Sequence, residues 1–318
     1  MNSLGVVAVT GASGFIGRQL AAHFVGAGFE VRALSRMGRA SGSACLGVDY
    51  TSVDSLIKAL QGVDTVIHAA GLAHVEASQL ADADQAYREA NVAPALNVAR
   101  ACIGSGVRHM VLLSSAGVMG KKSPKGGFED SMTPAPYDAY SRSKLEADLK
   151  VAELAGIASL SLTLIRPPMV YGPGAPGSFR RLRRWISRDW PVPLGAVSAR
   201  RSFIGARNLC SVVAAAAKVR LPGSVSLLVA DSAPMTAADF SRTIAESMHR
   251  RARIIAAPPW LLRLALSALG RSEEYRRIGN AFELVPSRAR ALLDWVPPYS
   301  TLEELRWTVA AESAGSAP

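Results

Sequence analysis

Cysteine is scarce in this chain: three in 318 residues, Cys45, Cys102 and Cys210, far apart and in no CxxC pattern. That argues against a disulfide framework or a zinc cluster, so no metal site is expected and a reducing compartment fits. Long apolar runs are also missing; none reaches the roughly 18 residues of a membrane span. No basic stretch, apolar run and small-residue cleavage site precede the first strand pattern, Val6-Val7-Ala8-Val9, so a cytoplasmic setting is the expectation. Charged residues are only 19% of the chain and hydrophobic residues 49%, which excludes a disordered or fibrous protein and supplies a sizeable core. Acid is the scarcer sign, with 25 Asp and Glu against 36 Lys and Arg, for a net charge of +11. The arginines cluster at Arg180, Arg181, Arg183, Arg184 and Arg188, at Arg200 and Arg201, and at Arg250, Arg251 and Arg253. Such a surface suits nucleic acid, an anionic membrane or a phosphorylated small molecule, or is simply solvated; charge alone does not choose.

What the chain does have is an alternation of short apolar runs and longer helical patterns. Strands are expected at Val6–Val9, Glu30–Leu34, Asp64–Ala69, His109–Ser114 and Leu160–Ile165. Between them Phe15–Gly26, Val53–Leu60, Ala83–Ser105 and Tyr137–Ala155 repeat apolar or Ala positions every three to four residues. Strands buried on both faces and alternating with helices mean right-handed βαβ units, so the fold class is α/β, a Rossmann-type doubly wound parallel sheet. After about Gly172 the texture changes to Pro, Gly and clustered Arg. The expected organisation is a dinucleotide-binding domain over 1–171, with return segments near 204–230. A smaller, discontinuous C-terminal substrate-binding lobe takes 172–203 and 231–318.

Gly11-Ala12-Ser13-Gly14-Phe15-Ile16-Gly17 follows the first strand and opens a helix. The first glycine permits a tight turn, the second lets backbone approach a pyrophosphate, and the third lets the helix pack on the sheet. Free N–H groups and the positive end of that helix would hold the diphosphate. At the end of the second strand an acid would accept from the ribose of NAD, whereas arginine accommodates the 2′-phosphate of NADP. This chain has Leu34-Ser35-Arg36 there, which favours NADP(H) and leaves NAD(H) open. Asp49-Tyr50 is placed to meet the adenine, and Ala69-Ala70-Gly71 offers small residues where backbone would pass the cofactor.

Tyr140 and Lys144, four apart in Tyr140-Ser141-Arg142-Ser143-Lys144, project from one helix face. A phenol of pKa ~10 is a poor acid or base at neutral pH, and an ammonium one turn away, together with the positive nicotinamide ring of an oxidised cofactor, is expected to lower it. Ser114-Ser115 closes the fourth strand, so a hydroxyl can face the same carbonyl or alcohol and stabilise its oxygen.

In this order the motifs resemble those of the extended short-chain dehydrogenases/reductases, the NAD-dependent epimerase/dehydratase family. The likeness runs from Thr10–Gly17 through Val66–Gly71, Asn91-Val92, Ser114-Ser115 and Tyr140–Lys144 to Arg166-Pro167-Pro168-Met169-Val170-Tyr171-Gly172-Pro173-Gly174. It implies that Ser115 and Tyr140 contact the reacting oxygen, that Lys144 binds the nicotinamide ribose, and that Asn91 positions the active-site elements. It also implies that Pro167 contacts the cofactor, that Met169, Ser178 and Phe179 line the substrate pocket, and that Arg201 meets a nucleotide-sugar diphosphate by bidentate pairing. Within the group the likeness is greatest to bacterial reductases of UDP-4-keto-6-deoxy-N-acetylglucosamine, which serve surface polysaccharide synthesis. Two departures put the sugar in doubt: Met169 stands where relatives often carry Asn, and Met119 where a tyrosine is common.

The first reading is therefore an NAD(P)H-dependent 4-keto sugar-nucleotide reductase, with a UDP-hexose 4-epimerase as runner-up; an acid in place of Ser35 would have favoured the epimerase. A 4,6-dehydratase fits less well, because Ala116-Gly117 follows Ser115 where an Asp-Glu pair is needed. From other classes come a redox-sensing dinucleotide binder without turnover, against which intact Ser115, Tyr140 and Lys144 argue, and a nucleic-acid binder using Arg180–Arg188 with Trp185 and Trp190. Against the latter, Leu182, Trp185 and Ile186 are expected to pack inward, so no nucleic-acid partner is expected. The apolar segment 258–269 is expected to be a buried helix of the small lobe rather than a membrane insertion. The resemblance implies a homodimer through Ala83–Ser105 and Tyr137–Ala155.

Overall fold

The computed structural model describes residues 5–40, 43–73, 82–268 and 278–313. Its centre is a sheet of β1 (Val6–Thr10), β2 (Glu30–Ser35), β3 (Arg39–Ala40), β4 (Ser43–Gly47), β5 (Thr65–His68), β6 (His109–Leu113), β8 (Ser161–Arg166) and β12 (Ser224–Leu228), in the order β12-β8-β6-β5-β1-β2-β4-β3. Seven of these strands run parallel; only β3 turns back, antiparallel to β4. The chain winds outward from β1 to β2 and β4, then returns to lay β5 on the other side of β1. The crevice above β1 and β5 is thus the switch point where such sheets bind ligands. The strand β4 is an addition to the sequence expectation, because Ser43-Ala44-Cys45-Leu46-Gly47 has no β-branched or aromatic residue to mark it as a strand.

Alternation along each strand fills two cores. Ala8, Val66, Met110, Leu112 and Leu162 face one side, under α2 (Val53–Leu60), α4 (Ala93–Ser105) and α5 (Ala139–Ile157). Val7, Val9, Ile67, Val111 and Ile165 face the other, under α1 (Phe15–Gly26), α7 (Ala206–Val219) and α10 (Ser287–Leu293). With both faces covered, the strands carry near-continuous apolar runs. The expected helix Ala83–Ser105 is broken in its middle: α3 (Ala83–Tyr87) passes into one π turn, Arg88–Val92, before α4. Pro94 has no N–H to return to the carbonyl four residues back, which accounts for the irregular turn.

A third core holds the small lobe. Phe203 stacks on Phe240 at 4.2 Å, and Tyr171, Phe179, Ile186 and Leu305 complete it. It is built from α6 (Ser178–Ser187), α8 (Ala237–Ser247), α11 (Thr301–Ser313) and the paired strands β9 (Met169–Tyr171) with β11 (Phe203–Gly205). Two smaller pairs, β10 (Arg200–Arg201) with β13 (Met235–Thr236) and β7 (Phe128–Glu129) with β14 (Leu284–Val285), join it to the loops over the sheet. Polar seams bind the layers. Tyr171 Oη donates to Asp231 Oδ2 (2.6 Å), and buried Glu304 accepts from the N–H groups of Arg207 (3.4 Å) and Asn208 (3.1 Å) at the start of α7. Burial lifts the Glu304 carboxyl to about 7, with the Arg207 charge opposing.

Helix α9 (Pro259–Ala268) differs from the expectation of a buried helix. Trp260, Leu261 and Leu264 are 67%, 45% and 60% exposed; among the described side chains of the helix, Leu262 and Leu266 turn partly inward. Residue 269 lies outside the described residues. Trp185 is also turned outward, edge-on to Trp190 at 4.8 Å, while Ile186 is buried as expected. In both places apolar content on one helix shows that a face can be buried without showing which face is.

Candidate active site

The first turn of α5 is fixed by reciprocal capping: Asp138 Oδ1 accepts from Ser141 N (2.8 Å), and Ser141 Oγ accepts from Asp138 N (3.1 Å). That sets the pitch of the face carrying Tyr140 and Lys144. Ser115 opens a short 3₁₀ turn, Ala116–Met119, after β6; its Oγ accepts from Gly117 N (3.1 Å), and its hydroxyl faces the Tyr140 phenol. Tyr87 packs against the Tyr140 ring at 5.7 Å. Burial pushes the phenol up to about 12; the neighbouring Ser115 hydroxyl pulls it back, while Asp138, Tyr87 and Asp148 add to the rise. In the protein by itself burial thus outweighs the lowering expected from Lys144 and an oxidised nicotinamide; Lys144 Nζ donates to the Leu113 carbonyl (2.6 Å), and its own pKa is lowered by burial against the pull of Asp148.

Asp148 is a residue that the motif reading passed over. It lies one turn beyond Lys144 and two beyond Tyr140, on the same face. Its Oδ2 accepts from Ser114 Oγ (2.8 Å) and from Arg166 Nε and Nη2 (both 3.2 Å); both partners of the ion pair are buried. Burial raises the Asp148 carboxyl, with the Arg166 charge opposing. Arg166 also reaches Met119 Sδ (3.8 Å), so Met119 serves the floor of the site. The i, i+4, i+8 spacing of Tyr, Lys and Asp was the available signal. The pairing to β8 was not, because it joins distant segments.

Asn91 sits on the π turn and clamps the loop after β5: Oδ1 accepts from Leu72 N (2.7 Å), and Nδ2 donates to Leu72 O (3.1 Å) and to Ser143 Oγ (3.0 Å). Gly71 is pressed into that junction, where a Cβ would stand 2.8 Å from Asn91 Oδ1 and 4.0 Å from Lys144 Nζ. Pro167, at the end of β8, ties in through its carbonyl, which accepts from Ala116 N (2.8 Å). Ser115, Tyr140, Lys144, Asn91, Gly71 and Pro167 therefore form one connected site above the carboxyl ends of β5, β6 and β8.

Beside it, Gly11 has φ +69 and lies against Ala70, and a side chain at Gly17 would strike the Gly11 carbonyl. Helix α1 has no acid in its first turn and no side-chain cap, whereas Ser52 caps α2 and Asp138 caps α5. Its open N–H end, with Ser13 and Gly14 exposed and Phe15 and Ile16 partly so, suits a diphosphate. Ala69 and Ala70 are partly exposed along the same crevice. This cradle fits a dinucleotide. Tyr50 lies beneath it: its buried hydroxyl accepts from Gly11 N (3.1 Å) and donates to Leu34 O (3.3 Å), so it braces the loop. Asp49 is exposed and accepts from Thr51 N (2.8 Å) and Oγ1 (2.7 Å). At the end of β2, Ser35 is buried with its Oγ accepting from Cys45 Sγ (3.3 Å), and Arg36 is exposed.

On the substrate side, Met169 is exposed next to the site, and Ser178 is exposed at the start of α6 with Oγ accepting from Arg181 Nη2 (3.3 Å). Arg201 donates Nη1 to Asn280 O (2.8 Å), with its guanidinium 5.2 Å from the Phe282 ring. Phe179 is packed inward against Tyr171 and Phe240. Its place is in the lobe core.

Three comparisons bear on this arrangement. The UDP-glucose 4-epimerase of Vibrio cholerae is 30% identical over 254 residues, 79% of this chain and 77% of that protein. A 3 beta-hydroxysteroid dehydrogenase/Delta 5-->4-isomerase of Mycobacterium tuberculosis is 28% identical over 78% of this chain and 70% of its own length. Among solved structures, MoeE5 in complex with UDP-glucose and NAD superposes with a TM-score of 0.78 at 25% identity, covering 98% of this chain and 99% of its own. The sequence model of the NAD dependent epimerase/dehydratase family matches residues 7–225, from β1 through the glycine loop and the Tyr140–Lys144 face to β12. The chain belongs to the NAD-dependent epimerase/dehydratase family.

Proposed function

We propose that this enzyme reduces a 4-keto sugar bound to a nucleoside diphosphate, of the UDP-4-keto-6-deoxy-N-acetylhexosamine type, with NADPH as preferred reductant. The observation that carries this reading is the end of β2, where buried Ser35 and exposed Arg36 stand in place of a carboxylate. An acid there would hold an NAD ribose, and an epimerase must retain NAD through a full cycle; arginine suits the phosphate of an exchangeable NADPH. Gly11, Ser13, Gly14 and the open end of α1 would hold the diphosphate, Arg36 the 2′-phosphate, and Lys144 with Gly71 and Asn91 the nicotinamide end. The dinucleotide, when bound, supplies the hydride.

The chain's own residues do the rest. Ser115 hydrogen-bonds the substrate oxygen and stabilises its charge as it grows. Tyr140, kept protonated by burial, delivers the proton to that oxygen. Lys144 stands one turn away to offset the phenolate left behind, and the Asp148–Arg166 pair fixes the helix face that carries both. Arg201 engages the diphosphate of the sugar nucleotide from the small lobe, and Met169 lies against the sugar. The protein works in the cytoplasm as a homodimer through α3, α4 and α5.

The testing experiment is an assay with UDP-4-keto-6-deoxy-N-acetylglucosamine and either NADPH or NADH, the product read by mass. Oxidation of NADPH with a product heavier by two hydrogens supports the reading. A second reading, a UDP-hexose 4-epimerase, is favoured by the likeness to the Vibrio cholerae protein. Interconversion of UDP-sugar epimers without added cofactor would replace the first reading with it.

A further inference from the structure

Helix α9 is built inside out. Leu262 packs against the small-lobe core with Ile254 and Met248, and Leu266, one turn on, is also half-buried. At ~100° per residue, Trp260, Leu261, Leu264 and Ala268 take the opposite side, and all four are exposed. A helix that is merely solvated carries polar residues there. Four residues before the helix, Ile255 is also exposed.

The apolar face continues along the edge of the lobe. Hydrogen bonds from Val192 N to Arg253 O (2.8 Å), Ile255 N to Val192 O (2.9 Å) and Gly195 N to Ile255 O (2.9 Å) join the strip before α9 to the stretch that follows α6. That stretch brings in exposed Trp190, against which exposed Trp185 of α6 packs, so three of the five tryptophans of the chain lie outward along this edge. Arginine surrounds them: Arg251, Arg253 and Arg263 are exposed beside α9, Arg180 and Arg184 are exposed on α6, and the Arg188 guanidinium lies 5.2 Å from the Trp190 ring. The acid on the same strip, Asp189, is already held by Arg250 at 2.8 Å.

We infer that this edge of the small lobe docks on an anionic lipid surface, with Trp260, Leu261 and Leu264 entering the boundary between headgroups and acyl chains and the arginines meeting lipid phosphate. Tryptophan and leucine on one face with flanking arginine is the chemistry of an interfacial helix. Among the described residues no helix is long and apolar enough to cross a membrane, and α9, about 15 Å long at ~1.5 Å per residue, lies in the surface. Charge decides against a second copy of the same edge, because two arginine-rich faces repel. Nucleic acid would use the arginines but leave the leucines in water. Docking of this edge is independent of which reaction the site performs.

The test is flotation of the purified full chain with phosphatidylglycerol–phosphatidylcholine vesicles, against phosphatidylcholine alone, at about 0.1 M salt. The expected result is recovery with the anionic vesicles and a blue shift of tryptophan emission. Trp260→Glu with Leu264→Glu should weaken partitioning by roughly tenfold or more with an unchanged circular dichroism spectrum, both side chains being exposed. Arg251→Glu with Arg263→Glu should remove the preference for anionic lipid. Equal flotation of the Trp260–Leu264 variant, no flotation on anionic vesicles, or a vesicle-free dimer that the same variant dissolves would each overturn the inference.

Discussion

Truncating Asp148 separates a positioning role from a passive one. Asp148 and Arg166 are 1% and 9% exposed at their side chains, and the carboxylate also takes the Ser114 hydroxyl. Asp148→Ala leaves the guanidinium buried without its counter-charge, a loss of about 3–5 kcal/mol of unfolding free energy. At ~2–3 °C per kcal/mol for a chain of this size, the midpoint falls by roughly 6–15 °C. Asp148→Ala combined with Arg166→Met removes both charges and should recover a large part of that loss. Asp148→Asn keeps the shape and the Ser114 bond and removes only charge. Because the carboxylate raises Lys144, its loss deepens the lowering of the lysine, and the alkaline limb of kcat/KM moves to lower pH. Thermal and denaturant unfolding of the three variants, with the pH profile of Asp148→Asn, are the assays. A single truncation costing under about 1 kcal/mol, or a double variant no better than the single, would refute the ion-pair reasoning. An unmoved pH profile in Asp148→Asn would refute the link to Lys144.

Three further outcomes are expected. Tyr140→Phe should lower turnover by roughly 10²–10⁴-fold with unchanged dinucleotide affinity, read by fluorescence titration; retained turnover would remove the proton-donor role. Arg36→Ala should weaken NADPH far more than NADH, and equal weakening would mean that Arg36 meets no 2′-phosphate. Glu304 sits at about 7 in the folded chain against 4.5 in the open, so the native state holds the extra proton between these values and stability falls as pH rises through them, by up to ~3 kcal/mol. Glu304→Gln should flatten that fall, measured as the difference in denaturation free energy between variant and parent at about pH 5 and pH 8; a constant difference would place the buried proton elsewhere.

Much of this protein was legible along the chain because its signals are local. The glycine loop follows a strand and opens a helix within a few residues, and Tyr140 and Lys144 share a face through helix pitch alone. The strands with apolar residues on both faces announce a covered sheet before any partner is known. The irregular turn at Asn91 was hidden, since a single π turn leaves little mark on periodicity. The tertiary structure alone could decide what distant segments do to one another. It pairs Asp148 with Arg166 across 18 residues, sets Tyr50 beneath Gly11 as a brace, and packs Phe179 into a core beside Phe240. It also turns Trp260 and Leu264 outward and leaves Tyr140 with a raised pKa. Each of these depends on which atoms exclude water around a group, and burial of that kind belongs to the packed molecule, whereas spacing and residue type belong to the sequence.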